Sequence, residues 1–214
     1  MRKIIALLLA AALSTAMLAS CSSSGGSGSD DVSSGASSVQ TDDTESDADD
    51  GAENELYSFQ IKLDGVTYTL PATYSDFQQN GWEIRGEDEM VGANTKMIGV
   101  YLKKDNETIN IQPYNPGESE VKISECQIVY LSVNIKDVES IEMPGGFKFD
   151  ENTKPEDVKA KYGEPDGEYN SEDSDRYSYK YEKEVYSTVD FTMYGDNATL
   201  DKGYGSITME NLLR

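Results

Sequence analysis

The chain contains no histidine, only two cysteines and one tryptophan, and sets 18 lysines and arginines against 40 aspartates and glutamates, for a formal charge of -22. Without histidine there is no Ser–His or Cys–His pair, and the commonest general base and the commonest metal ligand are both missing. Two thiols are too few for a Cys/His zinc site. The shortage of bases argues against a phosphate-neutralising surface, so no nucleic-acid partner is expected. An anionic membrane surface would also repel such a chain within a Debye length of about 8 Å. Residues 4–20 are the one candidate transmembrane span, and they fall short of the ~20 apolar residues a bilayer requires.

What is present at the start has the three parts of a signal peptide: Arg2 and Lys3, an apolar stretch over residues 4–13, then small residues from Ala16 to Ser20. The run Leu18-Ala19-Ser20-Cys21 resembles the lipobox of bacterial lipoproteins. The resemblance implies cleavage before Cys21 and a diacylglyceryl group on its thiol, and two acyl chains anchor stably where one is marginal. The expected location is therefore extracytoplasmic, lipid-anchored to the cell membrane; a plain secreted protein cut elsewhere is the alternative. Cleavage would leave 16 bases against 40 acids, a formal charge of -24.

Residues 22–55 hold ten acids among Ser, Gly and Ala, with no base and no aromatic, and cannot bury enough apolar surface to fold. They read as a tether reaching on the order of 30 Å, or alternatively as an acidic tail that captures a basic partner. With Cys21 lipidated, Cys126 has no partner in the chain. Its apolar surroundings, Cys126-Gln127-Ile128-Val129-Tyr130-Leu131, favour burial over reactivity.

All fourteen tyrosines and Trp82 lie in residues 56–214. The alternation of Tyr57, Phe59, Ile61 and Leu63, the pair Asp64-Gly65, and then Val66, Tyr68 and Leu70 predict a β-hairpin. A helix is expected after Ser75, capped by Gln78 and closed near Gly81; a second after Thr153, with Glu156, Pro155, Val158 and Tyr162, stopped by Gly163. Strands are expected over residues 97–102, 108–112 and 126–135, and again over 177–182, 187–194 and 205–209. The offset of about eighty residues predicts an α+β fold of two similar helix-plus-three-strand antiparallel units, each a sheet packed by a short helix. Similarity at this level also arises by chance between small α+β units. The expected organisation is a signal peptide (1–20), lipidated Cys21 with linker (21–55), an N-terminal unit (56–140) and a C-terminal unit (141–214).

On the strand over residues 187–194, Val185, Val189, Phe191 and Met193 share one face, while Tyr186, Thr188, Asp190, Thr192 and Tyr194 share the other. The first set is the expected core, as are Tyr177, Tyr179 and Tyr181 on the neighbouring strand. The second set is the candidate partner-binding face, since exposed tyrosines supply amphipathic contact area. An ordinary solvated sheet surface is the alternative.

The run Thr153-Lys154-Pro155-Glu156-Asp157-Val158-Lys159-Ala160-Lys161-Tyr162-Gly163-Glu164-Pro165-Asp166, followed by tyrosine-rich strands, resembles the helix and Gly-x-Pro turn of β-lactamase-inhibitor-like domains, shared by the small lipoprotein of the outer-membrane barrel-assembly machinery. The resemblance covers the last third of the chain and implies protein binding across a sheet face. The whole layout is also similar to uncharacterised surface lipoproteins of Gram-positive bacteria, through Leu63-Asp64-Gly65, Leu70-Pro71, Asn80-Gly81-Trp82, Met143-Pro144-Gly145-Gly146 and Tyr162-Gly163-Glu164-Pro165. No activity comes with that likeness.

Ser119-Glu120-Val121-Lys122 has Ser-x-x-Lys spacing but lacks the companion elements of penicillin-recognising enzymes. The acids at 164, 166, 168, 172, 173 and 175 could meet calcium's need for oxygen ligands, yet lack the EF-hand glycine; a solvated loop is the alternative. No enzyme and no cofactor is expected. The expected function is a non-catalytic binding module meeting an unknown protein or cell-wall partner; the alternative is a solute-capture lipoprotein serving a transporter. Growth of the native host on labelled palmitate should label the protein, and Cys21→Ala should abolish the label; persistent labelling of the variant, or an intact mature N-terminus upstream of residue 21, would overturn the lipid assignment.

Overall fold

Apolar residues recurring at every second position build long strands here, and antiparallel pairing aligns them into sheets with one dry face. A computed structural model describes residues 55–183, 186–195 and 204–212. In its first part come β1 (Gln60–Leu63), β2 (Val66–Thr69), β3 (Ala72–Thr73), α1 (Tyr74–Gln78), β4 (Glu83–Ile84), β5 (Met90–Val91), β6 (Thr95–Lys96), β7 (Val100–Lys104), β8 (Glu107–Asn115), β9 (Val121–Lys122) and β10 (Gln127–Asn134). Then follow β11 (Ile141–Met143), β12 (Phe147–Lys148), α2 (Pro155–Tyr162), β13 (Gly167–Asn170), β14 (Ser174–Lys180), β15 (Ser187–Tyr194) and β16 (Gly205–Asn211). Among the described residues no helix is long and apolar enough to cross a membrane.

The large sheet runs β13-β14-β15-β16-β10-β8-β7-β4, with β3 paired to β10 and β6 to β8, all antiparallel. A four-stranded sheet runs β12-β11-β1-β2, and β5 pairs with β9. The expected hairpin forms, with Leu63 opposite Val66 and positive φ at Asp64 (50°) and Gly65 (83°), the tight turn that suits strand twist.

The expected α+β fold of two helix-plus-three-strand units is not what forms. Strand dominates, and the described residues hold only two α-helices, of five and eight residues. They bury Phe77 from α1 and Val158 and Tyr162 from α2, too little to cover a sheet. The apolar face is closed by the four-stranded sheet instead, and strands from both parts of the chain share each sheet. β10 pairs with β16 from Tyr130↔Glu210 to Asn134↔Ser206, and β1 pairs with β11 through Lys62↔Glu142 and Leu63↔Ile141. The helix caps also sit elsewhere than expected. Thr73 N–H donates to the Asp76 carboxylate at 2.7 Å and Lys154 N–H to that of Asp157 at 2.9 Å, while the Thr153 hydroxyl accepts from Asp150 N–H at 3.0 Å.

One core joins the two sheets. Phe191 of β15 lies 5.5 Å from Tyr162, 5.8 Å from Phe149, 5.9 Å from Tyr179 and 6.3 Å from Phe147 between ring centroids. Burial pushes the Tyr162 phenol far above its usual titration range, and its hydroxyl donates to the Pro144 carbonyl at 2.7 Å. Farther along, Tyr68 stacks on Phe77 at 4.4 Å and accepts from the Trp82 indole at 3.0 Å. The β1–β2 and β7–β8 turns are tied together by Lys104, which lies 3.4 Å from Asp64 Oδ2 and 3.3 Å from Glu107 Oε2. Asp64 also accepts from Ser140 N–H and Glu107 from Glu139 N–H, both at 3.0 Å.

Gly205 opens β16 where there is no room for a side chain. A Cβ there would stand 2.7 Å from the Phe149 ring and 3.0 Å from the Thr192 carbonyl oxygen. Gly205→Ala should therefore destabilise the protein by about 1–3 kcal/mol through overpacking, read as a lower urea midpoint at unchanged m.

Candidate functional site

Because successive side chains of a strand point to opposite faces, pairing six strands in register sorts the sheet into one apolar and one polar surface. Tyr179, Val189, Met209, Leu131, Ile111 and Val100 stand opposite one another across β14, β15, β16, β10, β8 and β7, and all are buried. One residue along, Ser178, Asp190, Thr208, Ser132, Asn110 and Tyr101 form a row on the other face. Lys180, Thr188, Glu210, Tyr130 and Gln112 form the next row, and Arg176, Thr192, Ser206 and Asn134 another.

The five residues expected on the binding face fall on this polar side. Thr188 is 8% exposed, Asp190, Thr192 and Tyr194 are half-buried, and Tyr186, just before β15, is 50% exposed. Val185, expected on the apolar side, lies outside the described residues, as do Cys21, the signal peptide and most of the linker. The face is wider than the sequence reading made it, because β10 and β8 contribute Tyr130, Ser132, Asn110, Gln112 and Tyr114, and β7 contributes Tyr101. The signal was legible in β8, where Asn110, Gln112 and Tyr114 alternate with Ile109, Ile111 and Pro113.

Charges on this face are matched within it. Lys96 Nζ donates to Glu210 Oε1 and lies 5.5 Å from the Tyr186 ring centroid. Burial pushes the Asp190 carboxyl above its usual range, against the opposing pull of a Ser178 hydrogen bond and the charges of Arg176 and Lys180. The Thr208 hydroxyl donates to that of Ser132 at 3.1 Å, and Tyr114 donates to Asn94 at 2.7 Å. Two acceptors, Asp190 Oδ1 and Gln112 Oε1, are out of solvent contact and reached by no donor of the protein.

The other candidates are placed as follows. Cys126 is 3% exposed, its thiol donates to the Lys122 carbonyl at 3.3 Å, and burial, then the charges of Glu125 and Asp88, push its pKa up, which disfavours the reactive thiolate. Ser119 and Lys122 are both exposed, on a loop and on β9. The acidic stretch 164–175 spreads over the β13–β14 hairpin: Glu164 and Glu168 pair with Lys159 at 3.3 and 3.0 Å, and Asp166 accepts from Lys180 N–H at 2.8 Å. Among the described residues no group of three or more acids or cysteines could hold a metal ion. A separate cleft of about 390 Å³ has Ile135, Ile141 and Phe149 as its apolar lining and Lys62, Glu142 and Lys148 on its polar side. No protein-family model, curated protein or solved structure matches the chain.

Asp190 makes the face's electrostatics measurable. A carboxyl whose folded pKa is raised contributes stability that is fully present below its unfolded value, near the ordinary 3.8, and lost as pH rises through the folded value. Asp190→Asn should therefore be more stable than the parent at pH 7, with the advantage shrinking on acidification and gone below the ordinary value. Urea denaturation across that range checks it; a variant less stable at pH 7 would contradict the assignment.

Proposed function

We propose that this chain is a lipid-anchored, non-catalytic binding module displayed outside the cytoplasmic membrane, which meets its partner through the polar face of the large sheet. The observation carrying this reading is that face itself: a polar surface across six strands with Tyr101 and Tyr186 exposed on it. Tyrosines on a rigid sheet offer large amphipathic contact at low entropic cost. The lipobox-like Leu18-Ala19-Ser20-Cys21 and the acidic linker support display by a tether, with anchoring through lipid on Cys21 alone. The histidine-free composition favours binding over catalysis.

The cleft beside Phe149 favours a second reading, solute capture for a transporter, since its size lies within the small-ligand range of roughly 300–1,000 Å³. One experiment separates the two. A photo-crosslinking residue placed at Tyr101 or Tyr186 in the full-length protein, in its native host, should yield the same macromolecular adduct, and one at the exposed Glu156 of α2 should not. Adducts absent from 101 and 186, together with thermal stabilisation by a small solute, would favour capture instead.

A further inference from the structure

Resting on the reading of the polar sheet face as the binding surface, we propose that its ligand is a linear, uncharged glycan lying across the strands. Tyr186 enters from β15, Tyr130 from β10 and Tyr101 from β7, and one strand separates each from the next. A spacing of about 4.8 Å between strands puts successive rings roughly 10 Å apart across the sheet. The three rings stand in successive rows, each displaced two residues along the strands from the last, so the line of platforms suits a polymer running diagonally across the sheet. The C–H faces of sugar rings stack on the electron-rich faces of tyrosines, and Tyr101 and Tyr186 are accessible (42% and 50% exposed), with Lys96 Nζ over one face of the Tyr186 ring.

Between the rings the surface offers hydroxyls and amides, from Ser132, Thr208, Asn110 and Gln112. Asp190 Oδ1 and Gln112 Oε1 lack a donor within the protein but lie beneath the surface of the face, so a ligand reaches them only where these half-buried side chains turn outward. A polyhydroxylated ligand brings donors in quantity. The charges of the face select further: Lys96 is matched by Glu210, Lys103 lies 3.5 Å from Glu83, and Asp190 is set among Arg176 and Lys180. That balance recruits neither polycation nor polyanion, and the chain's net charge of -22 opposes a polyanion. A protein interface concentrates aromatic anchors in a desolvated centre; the longest row here runs through Ser178, Asp190, Thr208, Ser132 and Asn110, with a tyrosine only at its end.

The test titrates the full-length chain, solubilised in mild detergent, with cellohexaose, chitohexaose, mannohexaose, xylohexaose and the polyanion polygalacturonate by calorimetry. At least one hexaose should bind, with an affinity unchanged between low and high salt. Tyr101→Ala and Tyr186→Ala should each weaken it about three- to tenfold, and Tyr→Trp at either position should retain it. Both side chains are exposed, and an unchanged urea midpoint confirms that the variants fold. If none of the hexaoses binds, or only polygalacturonate binds and salt abolishes it, the glycan is overturned; a protein adduct at positions 101 and 186 in that case leaves the face reading standing. Hexaose binding that ignores both alanine variants overturns the face reading itself.

Discussion

Everything in this structure depends on the register between β10 and β16. Five residue pairs, from Tyr130↔Glu210 to Asn134↔Ser206, join the middle of the chain to its end and turn two groups of strands into one sheet. Because side chains alternate, a slip of one residue here would bring Thr208 and Glu210 to the apolar side and expose Ile207 and Met209. The flanking pairings are held to the same phase: Leu131 faces both Met209 and Ile111, and Met209 faces Val189. A pairing so distant in sequence carries a large loop-closure cost before any contact offsets it. Local order at both ends of the sheet reduces what remains to be fixed, with the Asp64, Lys104 and Glu107 ties at one end and the ring cluster around Phe191 at the other.

The parts of the fold legible in the sequence were those encoded locally. Asp64-Gly65 announced its hairpin, the alternation from Ser187 to Tyr194 gave a strand with the expected bounds, and Gly163 ended its helix at a φ of 80°. The short strands β3 to β6, β9 and β11 to β13 went unread, since two to four residues carry no usable period and their existence is decided by the strands beside them. The error in fold class has the same origin. Helix signals at Tyr74–Gln78 and Pro155–Tyr162 are real, but propensity does not reveal that so few of their side chains reach the core. Which strand pairs with which was invisible, because β16 and β10 are matched by tertiary packing and not by a turn.

The candidate face shows the same division between local and distant information. Its β15 residues could be read from one strand. Tyr101, Tyr130 and Gln112 had alternation of their own but belonged to the other part of the chain, and only the shared sheet makes them neighbours. The acids follow a related logic. Most of the excess lies away from this face, which sets Lys96, Lys103, Arg176 and Lys180 against Asp190, Glu210 and Glu83 in a chain with 40 acids and 18 bases. Strong net charge keeps such a chain soluble and apart from its copies, while local balance on one surface leaves close approach unopposed there.

That balance comes with a cost that packing does not explain. Asp190 is held above its usual titration range by burial, and its Oδ1 and Gln112 Oε1 lack donors, each an arrangement that weakens the folded state. Apolar or smaller polar residues at these two points of a sheet surface would avoid it. Local rules are typically broken where a site needs what the fold does not. The two oxygens stand in adjacent rows of the polar face, Asp190 on β15 shortly after Tyr186 and Gln112 on β8 beside the strand that bears Tyr101. Ser187 Oγ and Asn211 Oδ1, facing each other at the buried ends of β15 and β16, lack partners as well, so orphaned polar atoms are not confined to this face; what sets Asp190 and Gln112 apart is that they lie beside its exposed tyrosines.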